Sequence, residues 1–355
     1  VCTAWRSLHD VRFKLLGLVP FVTAAALVVL LPAPSTALGG GPGSVLCALG
    51  FAVTLGLLIY DIRSTDGEQL PSFEAGAHID VTIPGGIVRS YSLANNPSDR
   101  HRYVIGVKRE ARGGGGSAWM HAHVQVGTLL DIAGPRNSFA LEEDAVHSVF
   151  IAGGIGITPL WCMAQRLEAL RKPWTIYLRG RSRKTTAFLE CLSSPQLGGR
   201  VHVSFSEDAG APRLDIASIV AKAPEGAHFY CCGPESMLEC VERACVRLPK
   251  ERLHLERFKA KEMQSRDGGY LVRLARSGQT IRIQKGRTIL ETLQQWGISV
   301  PSSCQQGVCG ACETPVLAGR PDHRDCVLSE EERTHGKSIL ICCSGSLTEE
   351  LVLDL

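Results

Sequence analysis

The spacing of three cysteines near the carboxyl end constrains this chain more than any other feature. Cys304, Cys309 and Cys312 follow the pattern C-x4-C-x2-C, and Cys342 and Cys343 lie roughly thirty residues further on. A plant-type [2Fe–2S] cluster has this ligand pattern, because its two irons need thiolates from several directions and one short loop supplies three of the four. A structural zinc site would instead show paired C-x2-C segments, and this stretch has one short pair. The spacing therefore predicts an iron–sulfur centre, with zinc as the alternative.

Composition narrows the class of protein. The chain has 355 residues, 45% of them hydrophobic and 21% charged, which is typical of a globular protein with two or three domains. The formal net charge of +3 is small for this length, so we expect no nucleic acid as a partner. Outside the cluster pattern, the cysteines are scattered singly or lie in apolar contexts and form no disulfide framework. These features favour a reducing compartment, and we expect a cytoplasmic protein.

The amino-terminal 44 residues form an apolar extension. Arg12 and Lys14 precede an apolar run over residues 15–31, and a stretch rich in Gly and Pro continues to Gly43. This pattern is typical of a signal sequence or a short membrane anchor. A helix over the run would span about 25 Å, slightly less than the roughly 30 Å hydrocarbon core of a bilayer. Residues 15–31 therefore leave three alternatives: a signal, an attachment to the cytoplasmic face of a membrane, or a mere extension.

Residues 45–145 show short strands separated by turns, which predicts a small antiparallel barrel. The apolar run Val45–Tyr60 is interpreted as the first part of this barrel rather than as a second membrane helix. On one predicted strand, Arg89, Tyr91 and Leu93 share a face. An arginine there suits a phosphate, and a tyrosine suits an aromatic ring. The predicted strands are Tyr60–Arg63, Ala77–Ile83, Val88–Leu93, Tyr103–Lys108 and Thr128–Ile132.

Residues 146–260 alternate between strands and helices, which predicts a parallel sheet with helices on both faces. The first strand, from Ser148, leads into a turn with Gly153, Gly154 and Gly156 and then into a helix. Glycines let the backbone approach a pyrophosphate, and the amino end of the helix favours its negative charge. A second strand-to-helix turn follows the predicted strand His228–Cys232. Two such turns in one unit predict a dinucleotide site.

Residues 261–355 begin with a charged linker that ends in Gly-Gly. A hairpin over Tyr270–Ala275 and Thr280–Gln284 and a helix over Ile289–Trp296 then lead to the cysteine loop. Ser302, Ser303 and the loop amides are expected to donate hydrogen bonds to the cluster sulfurs. We expect this part to carry the iron centre.

Two stretches resemble the flavin domain of the phthalate dioxygenase reductase family, which includes vanillate demethylase reductases. They are the sequence from Leu70 to Val81 and the R-S-Y-S-L strand from Arg89 to Leu93. The Cys-Gly-Pro turn at Cys232 and the D-H-R-D sequence from Asp322 are similar to the same family. The resemblance implies a multidomain α/β and β protein. Its parts would be an antiparallel flavin-binding barrel, a parallel α/β nicotinamide-binding domain and a carboxy-terminal β-grasp ferredoxin-like domain.

The resemblance also implies cofactors and the residues that hold them. FMN, rather than FAD, is expected on the barrel, and NADH on the parallel sheet with Cys232 beside the nicotinamide. Gly114 stands where the family commonly has an arginine, which puts the phosphate contact in question. The implied fourth cluster ligand is Cys342, with Cys343 as its neighbour. The remaining implied cofactor-binding residues are Arg89, Tyr91, Ser92, Gly115, Gly116, Ser117, Gly153, Gly154, Gly156, Thr158, Arg181, Gly233, Pro234 and Phe258.

The function implied is that of a reductase. Electrons would pass from NADH to flavin, then to the [2Fe–2S] cluster, and then to an external Rieske-type oxygenase or demethylase acting on an aromatic acid. Flavin links the two carriers because it takes up two electrons together and releases them singly. Two alternatives stay open. One is a membrane-tethered reductase for a desaturase or hydroxylase, and the other is a ferredoxin-like carrier whose barrel no longer holds flavin.

Overall fold

A computed structural model of the protein describes residues 12–15, 56–110, 115–210, 212–258 and 264–355. Most of the apolar run 15–31 and residues 45–55 of the second run lie outside these ranges. The described ranges contain no helix long and apolar enough to cross a membrane. One strand, Arg12–Leu15, pairs within the barrel sheet described next, although the sequence assigned it to the extension. Four residues directly before an apolar run are too few for a strand periodicity to be recognised.

The first unit is an antiparallel barrel, as predicted. Its strands run in the order β4-β3-β6-β1-β2-β5, and a bridge between Leu93 and Ile105 joins the outer two. Alternate residues point inward, so Ile62, Ile79 and Val81 are fully buried in the core. Its elements are β1 (Arg12–Leu15), β2 (Leu57–Ser64), β3 (His78–Ile83), β4 (Ile87–Ser92), β5 (Tyr103–Lys108), α1 (Gly116–His123) and β6 (Leu129–Arg136).

The second unit is a five-stranded parallel sheet in the order β11-β10-β7-β8-β9, which confirms the predicted βαβ progression. Every residue of the central strand β7 is buried, as expected for a strand covered on both faces. The sequence predicts a helix over Ala187–Leu192, and the structure has a single helical turn at Leu189–Leu192. The elements are β7 (Ser148–Gly153), α2 (Ile157–Ala169), β8 (Trp174–Gly180), α3 (Leu189–Leu192), β9 (Val201–Phe205), α4 (Ile216–Lys222), β10 (His228–Cys232), α5 (Glu235–Ala244) and β11 (Leu253–Glu256).

The third unit is a mixed five-stranded sheet in the order β13-β12-β18-β14-β16, in which β12 and β18 are parallel. A capping box between Thr288 and Glu291 begins its first helix, just before the cysteine loop. The elements are β12 (Leu271–Leu274), β13 (Thr280–Arg282), α6 (Ile289–Gln295), β14 (Glu313–Ala318), β15 (Pro321–Asp322), α7 (Glu330–His335), β16 (Ser338–Leu340), β17 (Gly345–Ser346) and β18 (Glu350–Leu353).

Candidate functional site

One cavity of about 200 Å³ is lined by residues of all three units. The barrel contributes β4 and the start of α1, the parallel sheet contributes the turn after β7 and the end of β11, and the cysteine loop closes a third side. Nine of the predicted site residues line it: Arg89, Tyr91, Ser92, Gly116, Ser117, Thr158, Phe258, Cys304 and Cys309. The three predicted cofactor regions therefore meet at one place.

The barrel side of the cavity brings a cation to the amino end of α1. A side-chain carbon at Gly116 would lie 2.6 Å from Arg89 Cγ, so the arginine packs directly on the glycine that starts the helix. The Ser117 hydroxyl accepts a hydrogen bond from the Glu110 amide at 3.0 Å. A guanidinium beside free helix amides suits an anion. Gly114, which stands where the family commonly has an arginine, and Arg112, two residues before it, lie outside the described residues.

The parallel-sheet side is built from two backbone turns in van der Waals contact. A side-chain carbon at Gly153 would overlap Pro234 and lie 3.0 Å from the Gly233 Cα, and one at Gly156 would overlap the Cys232 carbonyl. Glycine is therefore required at Gly153 and Gly156 because another backbone segment packs against them, and not because of a left-handed φ. Gly154 differs, because it has a φ of 57° and open space beside it. The predicted glycine turn and the predicted Cys-Gly-Pro turn thus form a single surface.

Cys232 is fully buried beneath that surface and contacts a residue on the cavity wall. Burial raises the pKa of the Glu256 carboxyl to about 8, and the Cys232 thiol donates a hydrogen bond to it. Burial also raises the pKa of Cys232 well above its usual range. At neutral pH the pair is therefore uncharged. Glu256 lines the cavity, so the predicted nicotinamide cysteine reaches the cavity through this carboxyl group.

Four thiols converge at the cysteine loop. Hydrogen bonds from Cys309 and Cys342 lower the pKa of Cys304, and a hydrogen bond from Cys342 lowers the pKa of Cys312. The Gln306 amide donates to Cys304 Sγ at 3.3 Å, as predicted for the loop amides. Cys343 borders this group, because its thiol donates to the Leu340 carbonyl at 3.6 Å and is also hydrogen-bonded to Cys342. The four predicted ligands are thus linked in one group, and Cys343 contacts that group through Cys342.

The thiol group provides the donors that a two-iron cluster needs. Each iron of a [2Fe–2S] cluster takes two protein thiolates, and the bridging sulfides fill the centre. Three of the thiols are almost fully buried, at 4% exposure or less, and Cys309 is half-buried. The donor set thus fits the group that the spacing predicts.

The cavity wall also fits a polar ligand. His78 Nε2 and Glu256 Oε2 are buried and have no hydrogen-bond partner among the described protein atoms, and both residues line the cavity. Buried polar atoms are rarely left unsatisfied. Tyr91 presents a neutral phenol, because burial raises its pKa to about 12. A flat heterocycle with polar edges would meet both an aromatic face and hydrogen-bonding groups here.

Other predicted residues lie off the cavity wall. Gly115 precedes Gly116 of the wall, Gly233 and Pro234 belong to the turn that contacts Gly153, and Cys312 and Cys342 belong to the thiol group at the cysteine loop. Arg181 follows β8 on the surface, where its side chain is 80% exposed and its Nε lies 2.7 Å from Glu207. Sequence reasoning missed His78 and Glu256. Glu256 lies two residues before Phe258, so strand alternation could have indicated it, whereas His78 carries no such local signal.

Known proteins similar to this chain match it over most of its length. Residues 272–345 match the model of the 2Fe-2S iron-sulfur cluster binding domain. The chain is 62% identical over 299 residues to phenoxybenzoate dioxygenase subunit beta of Ectopseudomonas oleovorans, covering 84% of this chain and 93% of the relative. It is 39% identical over 301 residues to phthalate dioxygenase reductase of Burkholderia cepacia, covering 83% of this chain and 92% of the relative.

A solved structure is similar over the same span. Phthalate dioxygenase reductase, described as a modular structure for electron transfer from pyridine nucleotides to [2Fe-2S], superposes with a TM-score of 0.70 at 37% identity. The match covers 84% of this chain and 94% of that chain. The barrel, the parallel sheet and the iron–sulfur domain are therefore shared as a set.

Proposed function

Because the chain belongs to the phthalate dioxygenase reductase family of iron–sulfur flavoprotein oxidoreductases, we propose that it passes electrons from NADH through FMN and a [2Fe–2S] cluster to a separate Rieske-type oxygenase. The observation that carries this proposal is the single cavity lined by all three units. Hydride donor, flavin and cluster must lie close together for such a transfer. In this protein at least one residue predicted for each of them lines the cavity: Tyr91 for the flavin, Thr158 for the nicotinamide and Cys304 for the cluster.

The cofactors would be held by residues whose chemistry suits each one. Arg89, Gly116 and Ser117 would hold a terminal phosphate, which favours FMN, and Tyr91 would cover the ring. The four thiols Cys304, Cys309, Cys312 and Cys342 would hold the cluster. When bound, a flavin takes two electrons from a reduced nicotinamide and releases them one at a time. The protein itself positions the two cofactors and the nicotinamide relative to one another and excludes water from between them.

The nicotinamide would be held by the two contacting turns. Gly153, Gly154 and Gly156 bring bare backbone to the start of α2, where a pyrophosphate would meet free amides. Thr158 Oγ1 donates to the Ile155 carbonyl at 2.9 Å, which stabilises the turn from inside. Glu256, held neutral by burial, offers a proton donor at the wall without placing a negative charge beside the reduced nicotinamide.

The oxygenase partner follows from the class of the relatives. One relative is a phenoxybenzoate dioxygenase subunit, and another is a 3-chlorobenzoate-3,4-dioxygenase reductase subunit of Comamonas testosteroni. We therefore assign an aromatic-acid oxygenase or demethylase as the electron acceptor. We propose a cytoplasmic location, which the free thiols of the described residues support.

Cofactor analysis of the purified protein tests the proposal. Flavin released by denaturation should be FMN, and iron and acid-labile sulfide should be present in equal amounts. Anaerobic addition of NADH should bleach first the flavin and then the cluster absorbance. A colourless protein, or one that contains zinc and no iron, would contradict the assignment.

A further inference from the structure

One face of strand β3 points away from the barrel core and toward the iron–sulfur domain. Ile79 and Val81 fill the core, so the alternation of the strand turns His78 and Asp80 to the opposite face. Asp80 is nevertheless only 2% exposed. A buried carboxylate is costly unless it is paired and hydrogen-bonded. The partners of Asp80 therefore indicate what covers it.

The partners come from two domains. Within the barrel, the Ser90 hydroxyl donates to Asp80 Oδ1 at 2.6 Å, and Arg136 forms an ion pair with Oδ2. From the iron–sulfur domain, the Ser303 hydroxyl donates to Oδ2 at 2.5 Å. The Ser90 and Ser303 hydroxyls are 3.5 Å apart. Hydrogen bonds from a hydroxyl to a carboxylate are short and about twice as strong as neutral ones, so this carboxylate joins the two domains firmly.

The position of these groups links two cofactor sites. Ser303 precedes the predicted cluster ligand Cys304, and Ser90 lies between Arg89 and Tyr91 on the predicted flavin strand. Ser303 was expected to donate to a cluster sulfur, but its hydroxyl donates to Asp80 instead. The hydrogen bond therefore ties the start of the cysteine loop to the strand that would carry the flavin.

We propose that Asp80 is a positioning residue that sets the spacing between the flavin and the iron–sulfur cluster by fixing Ser303 against β4. Asp80 is not among the residues that line the cavity, and it would act through its hydrogen bonds with Ser303 and Ser90. The inference rests on the proposed function, since it assigns a residue to the flavin-to-cluster step of that reaction. Electron transfer slows exponentially with distance, so a loosened loop should slow this step while leaving the reduction of flavin by NADH unchanged.

Two variants of the holoenzyme test the proposal. Ser303→Ala removes the interdomain hydrogen bond and leaves Asp80 with Ser90 and Arg136, and Asp80→Asn removes the charge. Asp61→Asn is the matched control, because Asp61 is also a buried barrel carboxylate but pairs with Arg63 and Arg102 inside the barrel. All three are mixed anaerobically with NADH, and the flavin and cluster absorbances are followed separately in a stopped-flow instrument.

In Ser303→Ala and Asp80→Asn, we expect flavin reduction at the wild-type rate and flavin-to-cluster transfer slowed by about tenfold, since a misplacement of ~1 Å can cost up to ~100-fold. Hydrogen exchange of amides 302–309 should be faster in both variants and unchanged in Asp61→Asn. The double variant should be no slower than the slower single one, because both substitutions break the same link.

Ser303→Ala decides the outcome. If it transfers electrons to the cluster at the wild-type rate and its loop amides exchange at the wild-type rate, the proposal is wrong, whatever Asp80→Asn does. If Asp61→Asn slows the transfer equally, the effect is one of general stability and the proposal also fails. Failure of the proposed function looks different, because the wild-type protein would then pass no electrons from NADH to the cluster, while the hydrogen-exchange result would still report on the link.

Discussion

The two ends of the proposed electron path are built in opposite ways. At the iron end, three of the four predicted ligands lie within one loop from Cys304 to Cys312, and the surrounding fold has only to bring Cys342 to them. At the nicotinamide end, the surface is made by two turns from different strands, in which Gly156 touches the Cys232 carbonyl. One end depends on the identity of a few side chains, and the other depends on the absence of side chains.

This difference predicts different kinds of failure. A change at the iron end should remove an electron carrier while leaving the domain next to it intact. A change at the nicotinamide end should disturb packing, because a protein interior has no room for an added methyl group. Nicotinamide binding, the free energy of unfolding and the rate of flavin reduction should then all decrease together.

The largest expected effect is the loss of a cluster ligand. Cys309→Ser should lower the rate of electron transfer to an external acceptor such as cytochrome c by more than ~100-fold. Mutation of residues that only hydrogen-bond to metal ligands already lowers metal affinity or activity by about 10–100-fold, and Cys309 is a predicted ligand itself. Reduction of the flavin by NADH should stay at the wild-type rate. The control is Cys326→Ser, which removes a half-buried cysteine outside the four-thiol contact. Loss of flavin reduction in Cys309→Ser would refute the separation of the two ends.

The next largest effect is expected from a substitution at the nicotinamide end. Gly156→Ala should slow flavin reduction and lower the free energy of unfolding by about 1–3 kcal/mol, as overpacking does. Iron content should stay unchanged. Gly154→Asn is the matched control for stability, because this position has open space and a left-handed φ that asparagine tolerates. Denaturant unfolding and single-turnover reduction measure both quantities, and equal stability loss in the two variants would contradict the packing argument.

A smaller effect concerns nucleotide choice, because the family resemblance implies that the segment after β8, which holds Arg181 and Arg183, contacts the adenosine ribose. Arg181 pairs with Glu207 at 2.7 Å, and Arg183 pairs with Asp208 at 3.0 Å, both on the surface. Neutralising both acids with Glu207→Gln and Asp208→Asn should free the arginines for a 2′-phosphate. We expect kcat/KM for NADPH to rise by about tenfold, which corresponds to ~1.4 kcal/mol.

The control for nucleotide choice is an equivalent surface pair at the iron end. Asp354→Asn breaks the pair with Arg276 and should change neither NADH nor NADPH kinetics. An unchanged ratio of NADPH to NADH kcat/KM in the Glu207→Gln and Asp208→Asn double variant would show that Arg181 and Arg183 lie outside the ribose site.

The last effect concerns pH and compares two buried carboxyl groups, Asp80 of the barrel and Glu256 of the parallel sheet. Asp80 has a cation beside it, whereas burial raises the pKa of Glu256 to about 8. In the unfolded chain a glutamate titrates near ~4.3, so the folded state holds the proton more tightly. The resulting stability is fully present below about pH 4 and is lost as the pH rises through about 8.

Glu256→Gln should remove this dependence. Between pH 5 and pH 8 the free energy of unfolding of the wild type should fall more steeply than that of the variant, by on the order of 1.4 kcal/mol per pH unit. Urea titrations at several pH values measure it, and Glu251→Gln, an exposed glutamate of the adjoining turn, is the control. Parallel pH profiles for wild type and Glu256→Gln would show that the carboxyl is not buried as a neutral acid.

Local patterns predicted most of the elements because each follows from a short stretch. The strand β5 and the strand β10 have the predicted bounds, and α6 ends within one residue of its prediction. The pattern failed for β1, whose four residues stand next to an apolar run. It also overextended α3, because Phe188 adopts a left-handed conformation, with φ at 58°, that ends the helix on its amino-terminal side. The domain boundaries stay predictions.

By itself, the sequence determined the order of the three units, the cluster spacing and the two turns that require glycine or proline. Each of these features depends on residues close together in the sequence, through backbone conformation or ligand geometry. Only the tertiary structure decided that Glu256 lies over Cys232 and that Asp80 accepts a hydrogen bond from Ser303. Those contacts join residues that are far apart in the chain. The periodicity and spacing of residues within one segment do not show which distant segment will pack against that segment.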